Sequence, residues 1–311
     1  MIAVIESLLP IFCLIGLGFI LRWRNVVAED MWRGVELLGY WVFFPALLSE
    51  TLIEADLASL PLAEITFTMA LAFATMAGGL LALRLPLMGI LDINGASYSS
   101  LFQNATRWNG FIALPILDKL YGKEGVALVA IIMAILVPVA NIVNVAVIAR
   151  NAGARQLSYR QTAYVVFRNP FIWATAVGLA INLTGIRIYE PVMTGLHMLG
   201  GAAIGTGLLM VGAGLHAEEA RRPSPVVWLG TGLKLLGMPI IVFIWILLFG
   251  ISGPAVVACL ICAGVPTAMS AYVLARQMGG DATLVATTVT VQTLLSVITI
   301  PLLIVFAETV K

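Results

Sequence analysis

Two short stretches of this chain hold polar, small and helix-breaking residues inside otherwise apolar sequence: Asn104-Ala-Thr-Arg107-Trp-Asn109-Gly110 on to Pro115, and Cys259-Leu-Ile-Cys-Ala-Gly264-Val-Pro266, with Thr267 and Ser270 following. Where no water is at hand, every peptide group freed by a broken helix needs another partner, so such a break is tolerated only inside protein or around a cavity. Two breaks at matching places in the two halves of a chain point to a solute site. Proline suits the first turn of a helix, so Pro115 and Pro266 are each expected to open a second half-helix. The N-terminus of such a half-helix offers free N–H groups and roughly half a positive charge. Two of them converging hold an anion without a dedicated cation; the plainer alternative is that both prolines merely kink continuous helices.

Other side chains extend this candidate site. Asn109 sits in the first break, where its amide can donate to a carboxylate or cap the backbone. Counted from Asn94 at about 1.5 Å per residue, Arg107 lies roughly 20 Å into its span, where a charge faces the bundle interior and either pairs with substrate or binds freed carbonyls. Lys234, about nine residues beyond Pro225 and roughly 14 Å deep, can snorkel back to the surface and reads as a gating or structural residue, with Gly264 beside the second break. Asn141 and Asn144 share a helical face, and Thr288, Gln292, Ser296 and Thr299 form a second polar stripe. Such stripes also serve plain interhelical hydrogen bonding. Thr267 and Ser270, expected in the first turn after Pro266, either cap that half-helix or contact the anion.

The elements that must position these residues follow from composition. The chain is 61% hydrophobic and 11% charged, with mean hydropathy +1.03. Such a chain is an integral membrane protein, and its repeated apolar runs have the length of bilayer spans. About ten spans are expected, at 2–21, 33–52, 62–83, 94–120, 123–148, 161–183, 191–214, 225–249, 253–278 and 282–307, the fourth and ninth interrupted. The first opens almost at Met1 with Glu6 and no basic leader, which reads as a retained helix.

Arg22, Arg24, Arg33, Arg84, Arg150, Arg155, Arg160, Arg221, Arg222 and Arg276 follow odd-numbered spans, against Lys119, Lys123, Arg187 and Lys311 on the other side. The positive-inside rule then puts both termini outside the cytoplasmic membrane. The net charge of +1 gives no reason to expect nucleic acid as a partner.

Five spans per half force the halves into opposite orientations. The chain divides into a first repeat at 1–149, a cytoplasmic connector at 150–160 and a second, inverted repeat at 161–311. The offset that carries Pro115 onto Pro266 also carries Asn141 onto Gln292, and a second offset carries Pro10 onto Pro170 and Gly18 onto Gly178. Gly201 and Gly205 form a small-residue motif suited to close helix packing, with a homodimer seam as the alternative.

Residues 107–122, RWNGFIALPILDKLYG, resemble the fourth helix of the auxin efflux carrier family, which includes plant carriers and bacterial malate or malonate permease-like proteins. Phe43-Phe-Pro-Ala-Leu47, Arg168-Asn-Pro170, Lys234 with Pro239, Gly264-Val-Pro266 and Thr293 to Pro301 extend the resemblance over nearly the whole chain; Ala113 departs from it, since family members often carry glycine there. The resemblance implies an all-α fold of two inverted five-helix repeats with broken helices 4 and 9 crossing. Helices 1, 2, 6 and 7 would form a scaffold, and helices 3–5 and 8–10 a transport domain moving in elevator fashion. It further implies a small organic carboxylate as substrate.

Coupling is left open. Sodium fits freed carbonyls with Asn, Gln and Thr oxygens, which keeps a sodium-coupled symporter of bile-acid-symporter-like architecture as an alternative. An uncoupled carrier also suffices for efflux, because an inside-negative potential drives a monoanion outward by about 2.3 kcal/mol per 100 mV. No cofactor is implied. Cys259 and Cys262, in an apolar helix without a nearby histidine, do not read as a metal pair. An intramembrane enzyme is the distant reading, since no HExxH motif, aspartate pair or Ser/His/Asp set stands in the spans.

Overall fold

The computed structural model describes residues 2–56, 60–152 and 170–311. The connector expected at 150–160 falls largely outside these residues, as do Arg168 and the start of the sixth span. The regular elements among the described residues are helices: α1 (Ile2–Trp23), α2 (Glu29–Leu38), α3 (Phe44–Glu54), α4 (Leu62–Ala82), α5 (Arg84–Ile90), α6 (Gly95–Thr106), α7 (Gly110–Asn151), α8 (Pro170–Thr184), α9 (Glu190–Ala213), α10 (Pro225–Gly232), α11 (Met238–Phe249), α12 (Pro254–Gly264), α13 (Ser270–Met278) and α14 (Ala282–Val310). Six helical stretches are long and apolar enough to cross a bilayer: Asp30–Glu54, Leu62–Ala82, Gly95–Asn151, Glu190–Ala213, Pro225–Phe249 and Ala282–Val310. Shorter apolar helices occupy Leu8–Trp23, Pro170–Thr184 and Pro254–Gly264.

Local chemistry explains the joints. Within α7, Gly122 takes φ +55°, open to glycine at little cost, and so separates residues 110–121 from 123–151. Wider π-turns at Gly39–Phe43 and Leu233–Gly237 each precede a helix with proline in its first turn, Pro45 and Pro239. Proline has no N–H to donate, and a wider turn is one way for a helix to continue past that missing bond.

The helices form two compact units. The first comprises Met1–Leu62, Gly110–Ala134 and Ala163–Gly214; the second comprises Ala63–Asn109, Ile135–Thr162 and Leu215–Lys311.

The first unit packs backbone against backbone. A Cβ on Gly18 would lie 2.0 Å from the Leu209 carbonyl oxygen, and one on Gly212 only 1.8 Å from that of Ile15. At the end of α1, Arg22 donates to the Ala213 carbonyl at 2.6 Å, covering an end that α9 leaves open. The close contacts of α9 thus run through Gly207 and Gly212. Gly201 and Gly205, expected to make them, face open space. The reason is helical phase: Gly207, Met210 and Val211 lie on the buried face of α9, and Gly201 does not.

The second unit carries most of the buried polar side chains. Gln103, Asn104, Asn144, Lys234, Thr267, Thr288 and Gln292 are each at most 1% exposed. Lys234 therefore does not snorkel to the surface.

Candidate functional site at the two helix breaks

The first break is made by Asn109 and Gly110, both weak helix formers. Helix α6 ends at Thr106, Arg107 turns extended at φ −81° and ψ 153°, and α7 starts at Gly110. Pro115 thus lies in the second turn of α7, correcting the expectation that it opens that half-helix. Gly110 and Pro115 belong to the first unit, where a Cβ on Gly110 would lie 3.0 Å from the Met133 methyl carbon.

The second break is made by proline, from the other side. A residue preceding proline is disfavoured in helical geometry, and Val265 is extended at φ −67° and ψ 147°, so α12 ends at Gly264. Helix α13 begins only at Ser270. Pro266 closes a half-helix where it was expected to open one, Thr267 lies in the connection, and Ser270 is the first helical residue.

Within the second unit one side chain ties these parts together. Gln292 of α14 accepts the Thr267 N–H on Oε1 at 2.8 Å. Its Nε2 donates to the carbonyls of Asn104 at 3.1 Å and Gly230 at 3.2 Å. Thr267 Oγ1 donates to the same Asn104 carbonyl at 2.8 Å. Gln292 therefore braces the end of α6, the second break and α10 at once, with both Nε2 hydrogens engaged.

The asparagine pair of α7 serves the first break. Arg107 donates from one terminal nitrogen to Asn141 Oδ1 at 2.8 Å, and the other stands 3.5 Å from Gln103 Oε1. Asn144 Oδ1 accepts from Thr106 Oγ1 at 3.2 Å, while its Nδ2 donates to the Ala140 carbonyl at 2.7 Å. Asn109 is 1% exposed, in the break itself. The structure thus gathers Arg107, Asn109, Asn141, Asn144, Thr267, Gln292 and the start of α13 in one unit.

Lys234 opens onto a cavity with room for about one water, lined also by Met69, Phe73, Thr106, Trp108, Cys262 and Ala263. Sequence reasoning placed Trp108 and Asn104 in the first broken stretch but gave neither a role of its own. The Asn104 amide is 1% exposed and lacks a hydrogen-bond partner at either polar atom, as do Gln103 Nε2, Ser100 Oγ and Thr231 Oγ1. The polar run Ser99-Ser100 to Gln103-Asn104 carried that signal, at helical spacing. Glu50 is buried in the first unit, 2.8 Å from His197 Nδ1. No cluster of three His, Cys, Asp or Glu side chains able to hold a metal occurs among the described residues.

Residues 3–304 match the family described as membrane transport protein. A curated relative from Methanothermobacter thermautotrophicus, named only as an uncharacterized transporter, is 25% identical over 297 residues, 96% of each chain.

Proposed function

Because the chain belongs to the membrane transport protein family, the auxin efflux carrier family of the resemblance, we propose that this multi-pass membrane protein moves a small organic carboxylate, auxin-like or malate- and malonate-like, across the cytoplasmic membrane. The carrying observation is the pair of helix breaks in otherwise apolar spans, with Arg107 held beside Asn109 by the Asn141 amide. A fixed cation and the positive dipole end of α13 favour a negative solute. Pre-placed partners such as Asn141 and Gln292 keep the site's geometry when the solute leaves.

In this reading the ten helices form two inverted repeats, both termini lie outside, and transport is an elevator-type efflux in which helices 3–5 and 8–10 carry the solute. The open faces of Gly201 and Gly205 support a homodimer seam. The sodium-coupled alternative draws on one observation, the unpartnered Asn104 oxygen; Gln292 Oε1 is already taken by Thr267.

The test is a thermal-unfolding screen of carboxylates, with and without sodium, followed by counterflow in proteoliposomes. A solute that binds only the native state raises its apparent stability as its concentration exceeds the dissociation constant. Stabilisation by carboxylates together with counterflow is expected. Failure of every carboxylate in both assays overturns the proposal, and stabilisation that demands sodium favours the symporter.

A further inference from the structure

Among the described lysines, Lys234 is the one enclosed within the protein. Lys234 is 1% exposed, and among the described residues its side chain makes no hydrogen bond and no ion pair. An ammonium offers three donors, and enclosing it without compensation is costly. It stands in the π-turn Leu233–Gly237, and the cavity it lines brings it to the C-terminal ends of two broken helices.

In a continuous helix each of those ends would have a specific donor. Thr106 is the last residue of α6, and its carbonyl would be served in a continuous helix by Gly110, which starts the next one. Cys262 would be served by residue 266, which is proline and has no N–H. Ala263 would be served by Thr267, whose N–H goes to Gln292 instead. All three residues line the Lys234 cavity. Each helix C-terminus carries about half a negative charge, so two ends together offset about one ammonium. The other lining side chains, Met69, Ala72, Phe73, Trp108, Leu136, Met238 and Val242, bring no acid.

We propose that Lys234 is a built-in cation for the carbonyl ends of α6 and α12, occupying from within the protein the electrostatic place a bound monovalent cation would fill, so that this carrier works without a coupling cation. The last clause rests on the carboxylate-carrier reading; the first stands without it.

The experiment uses the full chain in detergent, as wild type, Lys234→Ala, Lys234→Met and Lys234→Arg, with unfolding followed in choline chloride, sodium chloride and ethylammonium chloride. Wild type and Lys234→Arg should unfold at the same temperature in all three salts. Lys234→Ala, with charge and volume removed, should unfold earlier in choline and recover by about 2–4 °C in sodium or ethylammonium at 100 mM. Lys234→Met fills the space without a charge and should show no recovery. A sodium response in wild type, or unfolding of Lys234→Ala at one temperature in all three salts, overturns the proposal. If Lys234→Ala does not fold, Lys234→Met decides: stability equal to wild type means that the charge is not needed and the proposal fails. Carboxylate counterflow of wild type, measured with malonate and indole-3-acetate in sodium-free proteoliposomes, tests the functional reading separately. Counterflow that appears only with sodium overturns the last clause, while absence of counterflow in either medium leaves the salt responses standing and removes the carrier reading.

Discussion

The two units solve the same packing problem with opposite chemistry. In the first, helices approach so closely at Gly18 and Gly212 that backbone meets backbone, and among the described residues only Glu50, Thr51 and Thr175 are buried polar side chains. In the second, the buried interior is laced with Gln, Asn, Thr and Lys, and side chains bridge carbonyls that broken helices release. Small-residue packing depends on shape and leaves little to rearrange. A polar interior depends on partners and can exchange them, which is what a solute-handling region requires.

Substitutions can break or sharpen this contrast. The largest effect is expected in the shape-dependent unit: Gly212→Val puts a side chain onto the Ile15 carbonyl and should cost about 3 kcal/mol or more, read as loss of monodisperse folded protein on size exclusion. Next, Gln292→Leu leaves the Gly230 carbonyl and the Thr267 N–H without their partner, and should lower stability by about 2–4 kcal/mol in thermal or denaturant unfolding. An unchanged unfolding midpoint would remove the brace. Asn109→Ala should leave the fold intact and reduce counterflow more than about tenfold, the scale of a lost hydrogen bond to a charged group; unaltered transport kinetics would take Asn109 out of the site. Smallest is Gly201→Ala with Gly205→Ala, expected to leave the fold of the single chain within about 0.5 kcal/mol of wild type, because each added methyl meets nothing within its own chain.

How much could be read from the sequence depended on whether the cause was local. Apolar run length marked the helical stretches, and the i, i+3 spacing of Asn141 and Asn144 put both on one helical face, without showing that their partners are Arg107 and Thr106. Pro266 marked the second break but was assigned the wrong end of it, since the dominant steric effect of proline acts on the preceding residue, here Val265. Pro115 misled because Leu114 stays helical and Asn109-Gly110 breaks the chain earlier. The partners of Gln292 were not legible, since they lie on three elements distant in sequence. Depth counting left Lys234 a route to the surface, yet helices packed around it close that route.

The division of the chain between the units bears on biosynthesis. Passing from the first unit to the second after Leu62, back after Asn109, across again after Ala134, back between Asn151 and Pro170 and finally after Gly214, the polypeptide interleaves both. Neither unit is a contiguous segment, so neither is complete before the other has begun, and no single cut releases either whole. The early portions of the polar unit, α4 and α6, must therefore sit in the bilayer while Gln292 is still unsynthesised, with the Asn104 carbonyl awaiting a partner 188 residues further along. A truncation before α14 should consequently be a target for membrane quality control, even though every residue of the glycine-packed unit is already present.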